Sequence, residues 1–191
     1  MKHSLQLIGS LTVICVISGA LLAFVYGATS ERIAAVAQIR TEAAAAQVLP
    51  PHDAVQDPIA VTHENHTYLF RPARTAAGAL AGFAIQLTTH AGYGGEIRMM
   101  LGIAPDGTTT GLAILPGHKE TPGLGAKITE TAFRKRFEDK SLASTNWQVR
   151  KDGGAIDEIT AATISSRAVT DAIAAAARAF ETHRATIMGM E

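Results

Sequence analysis

The sequence predicts an α+β protein built from a single N-terminal transmembrane helix, a helical stalk and one α+β domain. Three observations predict it: an uncharged apolar run over residues 5–27, a helical apolar stripe over 29–49, and short strand-like runs beyond 58 that precede an amphipathic helix. The predicted boundaries are 1–28 for the cytoplasmic tail and membrane helix, 29–58 for the stalk and linker, and 59–191 for the domain. The last segment has the ordinary size of one domain.

The N-terminal run is long enough to span a membrane. At a rise of about 1.5 Å per residue, residues 5–27 can cross a hydrocarbon core of about 30 Å. A cleaved signal peptide is the competing interpretation, but its apolar core is usually only about 7–15 residues long. A short tail carrying Lys2 most simply stays in the cytoplasm, which predicts that the large C-terminal part lies outside.

The stalk follows directly. Residues 29–49 place Ile33, Val36 and Ile39 on an approximate stripe of helical period, and Thr29 or Ser30 is expected to cap the helix. Two prolines at 50 and 51 end it, and a polar stretch to residue 58 is typical of a linker.

The C-terminal domain alternates between strand-like runs and turn signals. Pro-Asp-Gly at 105–107 predicts a β-hairpin between two of the runs. Val169, Ile173, Ala177 and Phe180 lie on one face of a helix predicted over 166–183. The predicted strands are 67–70, 82–88, 97–104, 108–115 and 147–150.

Composition excludes several classes of function. Lys plus Arg and Asp plus Glu both number 17, so the formal net charge is zero, which argues against nucleic acid as a partner. The single cysteine, Cys15, excludes an intrachain disulfide and a cysteine-based zinc or iron–sulfur site. No two of the seven histidines have the spacing H-x-x-x-H, so no metal site is expected.

Two glycine-rich pieces are candidates for a binding site. They are GYGGEIRMM, residues 92–100, and GHKETPGLGAKI, residues 117–128. Glycines let a ligand approach the backbone closely, although each piece taken alone is also typical of a turn between strands. Neither piece fits a Walker loop or the Rossmann fingerprint.

The densest chemistry lies in DEITAATISSRAV, residues 157–169, where four hydroxyls (Thr160, Thr163, Ser165 and Ser166) surround the start of the predicted helix. A nucleophilic hydroxyl needs a base, yet the nearest following histidine, His183, is far down that helix. The unpaired N–H groups of a helix N-terminus suit a phosphate. A plain serine/threonine cap and a phosphoester on Thr163 both fit these residues.

The three pieces GYGGEI, ETPGLGAKI and DGGAIDEITAATISSRAV occur in the order and spacing of one family. The chain resembles, over essentially its whole length, the G subunit of the Rnf (also Rsx) ion-translocating electron-transport complex, an FMN-binding-domain family. In that family FMN is attached by a phosphodiester bond to a threonine within D-x-x-[ST]-G-A-[ST]. The resemblance implies that Asp157 starts this signal, Thr160 is its middle hydroxyl, Ala162 matches and Thr163 accepts the flavin. Ala161 departs from the pattern, because it stands where the family usually has glycine.

The resemblance also implies the cofactor, the partners and the location. The cofactor would be covalent FMN, attached by a separate flavin transferase that takes it from FAD, with no metal and no catalytic residue of the chain's own. The chain would carry electrons with the other Rnf subunits, which couple ferredoxin and NAD to ion movement, as a single-pass protein of the bacterial inner membrane with a periplasmic C-terminal domain. Glu120 and Lys127 are candidate polar contacts, and the implied walls of the flavin site are Tyr93, Gly94, Thr121, Gly123, Leu124, Gly125 and Thr160.

The sequence is also compatible with two alternatives. The C subunit of the sodium-pumping NADH:quinone reductase shares the attachment signal and the ETPGLG piece, but it is longer and has a G-L-W-type segment where this chain has GYGG. The second alternative is a flavin-free, membrane-anchored assembly or sensor module, which only Ala161 favours.

Overall fold

The computed structural model describes residues 2–189. These residues form two compact units, one ending at Ile39 and one beginning at Arg40. Met1, Met190 and Glu191, the outermost residues of the predicted anchor and domain, lie outside the described residues.

The N-terminal unit is helical. Helix α1 spans Lys2–Val48, and from Gln6 it is long and apolar enough to cross a membrane by length and composition. Its large apolar side chains are exposed to the surroundings, among them Leu11, Ile14, Leu22 and Phe24. Such a surface is unfavourable in water and favourable in lipid, which fits a single-pass membrane protein.

The prediction that Thr29 or Ser30 caps a separate stalk helix is wrong. The helix runs through both residues, and the Thr29 hydroxyl donates a 2.7 Å hydrogen bond to the Val25 carbonyl. A serine or threonine inside a helix can bond the carbonyl four residues back instead of capping. The one glycine at this point, Gly27, costs a helix only about 1 kcal/mol, which is too little to end it.

The second unit is built on an antiparallel sheet. The strands are β1 Ala54–Val55, β2 Ile59–His63, β3 His66–Arg74, β4 Leu80–Gly92, β5 Gly95–Ile103 and β6 Thr109–Ile114. They lie in the order β1-β3-β4-β5-β6, and β2 also pairs with β3. The predicted runs at 67–70, 82–88, 97–104 and 108–115 coincide with β3 to β6. The predicted hairpin is confirmed, with the Gly107 N–H donating to the Ala104 carbonyl at 2.9 Å.

Alternation along the strands gives the sheet two different apolar faces. Phe83 and Ile85 of β4 point into the main core with Phe180, whereas Ala84 between them points to the opposite face. The small residues of that opposite face leave room for the end of α1, whose Val48 is buried there.

The C-terminal half adds short helices and one long helix. A 3-10 helix spans Gly125–Thr129, helix α2 Thr131–Arg134, helix α3 Thr163–Thr182 and helix α4 Arg184–Met188. The predicted strand at 147–150 is wrong: the chain forms a single bridge there, from Val149 to Ile156, and then a 3-10 turn. Helix α3 is confirmed, but it begins at Thr163 instead of Ser166, so Thr163, Ser165 and Ser166 lie in its first turn.

Candidate functional site

Three segments distant in sequence meet around one cavity of about 470 Å³. They are the turn between β4 and β5, the loop that follows β6, and the start of α3. The cavity is lined by Tyr93, Glu120, Thr121, Leu124, Gly125, Ala161, Ala162, Thr163, Ile164 and Ser165. The fold therefore brings together the three pieces that the sequence singles out.

Glycines allow these segments to touch. A Cβ on Gly94 would lie 2.2 Å from the Lys119 carbonyl oxygen, and a Cβ on Gly125 would lie 2.6 Å from Ser165 Oγ. Both distances are far inside van der Waals contact, so neither site accepts a side chain without rearrangement. These two glycines serve close approach between segments, in addition to turn formation.

A buried carboxylate joins the three segments. Glu120 is only 5% exposed. Its Oε1 accepts a 2.9 Å hydrogen bond from the Gly94 N–H, and its Oε2 accepts a 2.5 Å hydrogen bond from the Ser165 hydroxyl. Within the described chain it forms no ion pair.

The N-terminus of α3 opens on the cavity without a side-chain cap. Ala162 is the N-cap residue, and no side chain of the described residues hydrogen-bonds the free N–H groups there. Ser165 donates to Glu120, while Ser166 accepts from the Ile159 N–H and donates to the Ala162 carbonyl. The serine/threonine cap is therefore not the arrangement found. Uncapped N–H groups at the positive end of a helix dipole suit an anion.

The Thr163 side chain, half-buried, lines the cavity as the first residue of α3. Among the described residues no hydrogen bond reaches its hydroxyl. A hydroxyl without a neighbouring base is a poor nucleophile.

The loop before α3 turns through a left-handed residue. Ala161 has φ +63°, in the region that favours glycine, and it lies exposed on the cavity wall. This is the position at which the chain departs from the glycine of the attachment signal.

Other predicted site residues lie outside the lining. Asp157 is exposed and pairs with Arg150 at 3.0 Å, and Thr160 is also exposed. Gly123 forms a turn with φ +76°, and Lys127 is exposed on the 3-10 helix Gly125–Thr129.

Apolar side chains form a rim around the cavity. Tyr93 is 72% exposed, Leu124 42% and Ile164 49%, and each comes from a different segment. Exposed apolar groups that converge on one opening mark a binding site for a flat or apolar group. The sequence motifs do not predict Ile164 as a site residue. The feature that could have identified it is its position next to Thr163 in the first turn of α3.

A larger cavity, of about 640 Å³, lies between α3 and the segment at 142–148. Asp171, Arg178 and Glu181 give it a strongly charged lining. Ligand sites are mostly apolar with a few convergent polar groups. That description fits the smaller cavity at the start of α3, which also holds the sequence motifs.

Comparisons with known proteins identify relatives of this chain. A model of the FMN-binding domain family matches residues 92–178. The G subunit of the ion-translocating oxidoreductase complex of Cereibacter sphaeroides is 36% identical over 90% of this chain and 82% of its own length. The protein of the same name from Vibrio cholerae is 33% identical over 91% of this chain and 88% of its own length.

Among solved structures, NqrC of Shewanella oneidensis has a TM-score of 0.53 at 18% identity, covering 76% of this chain and 74% of its own. At this identity the likeness shows a shared fold and nothing more.

Proposed function

The chain belongs to the family of G subunits of ion-translocating oxidoreductase complexes, and on that premise we propose that it relays electrons through an FMN held covalently on Thr163. It is a membrane flavoprotein of such a complex. FMN supplies the redox chemistry when bound, since its ring can exchange one or two electrons. The observation that carries the proposal is the position of Thr163, at the uncapped start of α3 inside the cavity.

The residues present fit this cofactor. A cavity of about 470 Å³ lies within the range of about 300–1,000 Å³ that is usual for small-molecule sites. The free N–H groups at the start of α3 suit the phosphate, and Tyr93, Leu124 and Ile164 offer apolar surface to a flat ring. The backbone of Gly125 forms part of the cavity wall, and because it has no side chain the flavin ring can approach it closely. Gly94 and Gly123 support the adjoining turns, and Thr121 adds a hydroxyl to the wall.

The absence of a base at Thr163 supports attachment by a separate enzyme. A flavin transferase that takes FMN from FAD would bring its own activating groups, so the chain needs to offer only an accessible hydroxyl. The exposed loop with Asp157 and Thr160 precedes that hydroxyl and is available for recognition by the transferase. Arg150 and Arg136 hold Asp157 through its carboxylate and its carbonyl.

We further propose that the domain lies on the periplasmic side of the bacterial inner membrane. One apolar helix among the described residues, with Lys2 on its N-terminal side, supports this topology. The proposed organisation is a membrane anchor at 1–28, a stalk and linker at 29–58, and the flavin domain at 59–191. Electrons would pass between this domain and the other Rnf subunits, and the protein alone would turn over no substrate.

Two other functions have weaker support. A C subunit of a sodium-pumping NADH:quinone reductase shares the fold, but the relatives at 33–36% identity carry the name of the G subunit. A flavin-free assembly or sensor module draws support from the left-handed Ala161 alone.

The test is fluorescence of the denatured protein on a gel after co-expression with a flavin transferase. Wild type is expected to fluoresce, Thr163→Ala to lose the signal, and Thr160→Ala to keep it as the matched control. Fluorescence that persists in Thr163→Ala would show that the flavin is attached elsewhere. A dark wild type would favour the flavin-free module.

A further inference from the structure

Glu120 carries a negative charge into the proposed flavin cavity. It is the only aspartate, glutamate, lysine or arginine among the described residues that line it. It is also almost fully buried and, in the described part of the chain, has no cationic partner. Burying a carboxylate without an opposite charge opposes folding, even when it is hydrogen-bonded, so a charge at this position indicates a functional role.

The hydrogen bonds of Glu120 do not by themselves require a charge. A glutamine could accept from the Gly94 N–H with its oxygen and donate to the Ser165 oxygen with its amide, because a serine hydroxyl rotates to suit its partner. A neutral residue would therefore join the same three segments. What the carboxylate adds is its charge, and its hydrogen bonds are charge-assisted.

A negative charge on Glu120 opposes the addition of electrons to any electron acceptor bound in the cavity. Each electron that reduces a flavin comes from an external donor, which is oxidised, and it adds negative charge to the ring unless a proton from solvent follows it. Next to a buried carboxylate that added charge is repelled, and because Glu120 itself is only 5% exposed, solvent screens the repulsion weakly. The uncapped start of α3 acts in the opposite sense, but the phosphate is the group expected there.

We propose that Glu120 is a positioning residue whose buried charge lowers the reduction potential of the flavin in this cavity. This inference rests on the proposed function. It assigns a second role to the residue that joins the three segments: Glu120 sets how strongly the site favours the oxidised flavin.

The experiment is a redox titration, with dithionite as the reductant, of the full-length, flavin-loaded protein in detergent at fixed pH and salt. Glu120→Gln is expected to shift the midpoint potential upward relative to wild type. Glu130→Gln is the matched control, because Glu130 is exposed and outside the cavity, so its charge is screened by solvent. Glu120→Asp retains the charge and is expected to keep the potential close to that of wild type.

Equal potentials in Glu120→Gln and Glu130→Gln would overturn the inference. If Glu120→Gln is not recovered folded, Glu120→Asp provides the test. An unchanged midpoint potential agrees with the proposal that the charge of residue 120 sets the potential, and a raised midpoint potential contradicts that proposal. These failures differ from failure of the proposed function, in which the wild type itself carries no flavin.

Discussion

Replacing Ala161 with glycine tests the conformation of the attachment loop. The alanine has φ +63°, and a left-handed L-residue costs about 1–2 kcal/mol. Glycine removes that cost but makes the unfolded chain more flexible, which offsets about 0.4–1 kcal/mol. The balance predicts that Ala161→Gly raises the free energy of unfolding of the domain by about 0.5–1 kcal/mol. For a domain of this size such a gain raises the melting temperature by roughly 1–4 °C.

The assay is thermal and urea unfolding of the flavin-free protein, followed by the rate of flavin attachment. Ala155→Gly is the matched control: Ala155 is also exposed in the loop before α3, but it is not among the residues with positive φ. Because the control has no left-handed strain to lose, it is expected to destabilise by about 0.4–1 kcal/mol. Flavin occupancy after a limited time with the transferase is expected to rise in Ala161→Gly.

Two results would refute this reasoning. A loss of stability in Ala161→Gly as large as that in Ala155→Gly would mean that residue 161 is not strained. A clear fall in flavin occupancy would mean that the alanine methyl group is itself part of the site.

Three further predictions concern the topology, the sheet and the pH dependence of stability. A phosphatase that is active only in the periplasm, fused after Glu191, is expected to be active, and a stable but inactive fusion would reverse the topology. Gly102→Ala is expected to destabilise the domain by about 1–3 kcal/mol in urea unfolding, because its Cβ would lie 2.1 Å from the Val48 carbonyl oxygen; an unchanged midpoint would contradict this packing. The hydrogen bonds from Arg167 lower the pKa of Asp152 in the folded protein. The pair therefore stabilises the fold fully above about pH 4, the pKa of aspartate in the unfolded chain. This contribution is lost as the pH falls through the lower pKa that Asp152 has in the folded protein. Asp152→Asn is therefore expected to be less stable than wild type at neutral pH and to approach it in acid, and a difference that persists at low pH would argue against the pair.

Local patterns predicted most of the sheet. The runs at 82–88 and 97–104 alternate or are uniformly apolar between turn signals, and both are strands. The edge strands β1 and β2 were missed: β1 has two residues, and β2 alternates only weakly between buried and exposed positions. The stalk was predicted as a separate helix because Thr29 and Ser30 resemble a cap, whereas their hydroxyls bond carbonyls of the preceding turn.

The sequence predicts which segments form the candidate site, but it does not predict the side-chain contacts between them. Tyr93, Leu124 and Thr163, which the motifs predict at the flavin site, line one cavity. The bond between Glu120 and Ser165 joins residues that are 45 positions apart, and no local periodicity reports such a pair. The left-handed φ of Ala161 could not be predicted from the residue type either, because alanine has no preference for that conformation.

A covalent FMN on Thr163 is the feature on which the proposed function depends most. Its most direct test is the intact mass of the full-length protein purified from its own host, followed by mass mapping of the peptide that contains Thr163. We predict an added mass of one FMN less one water, carried by Thr163. A protein of unmodified mass, or the same addition on any other residue, would contradict the proposal.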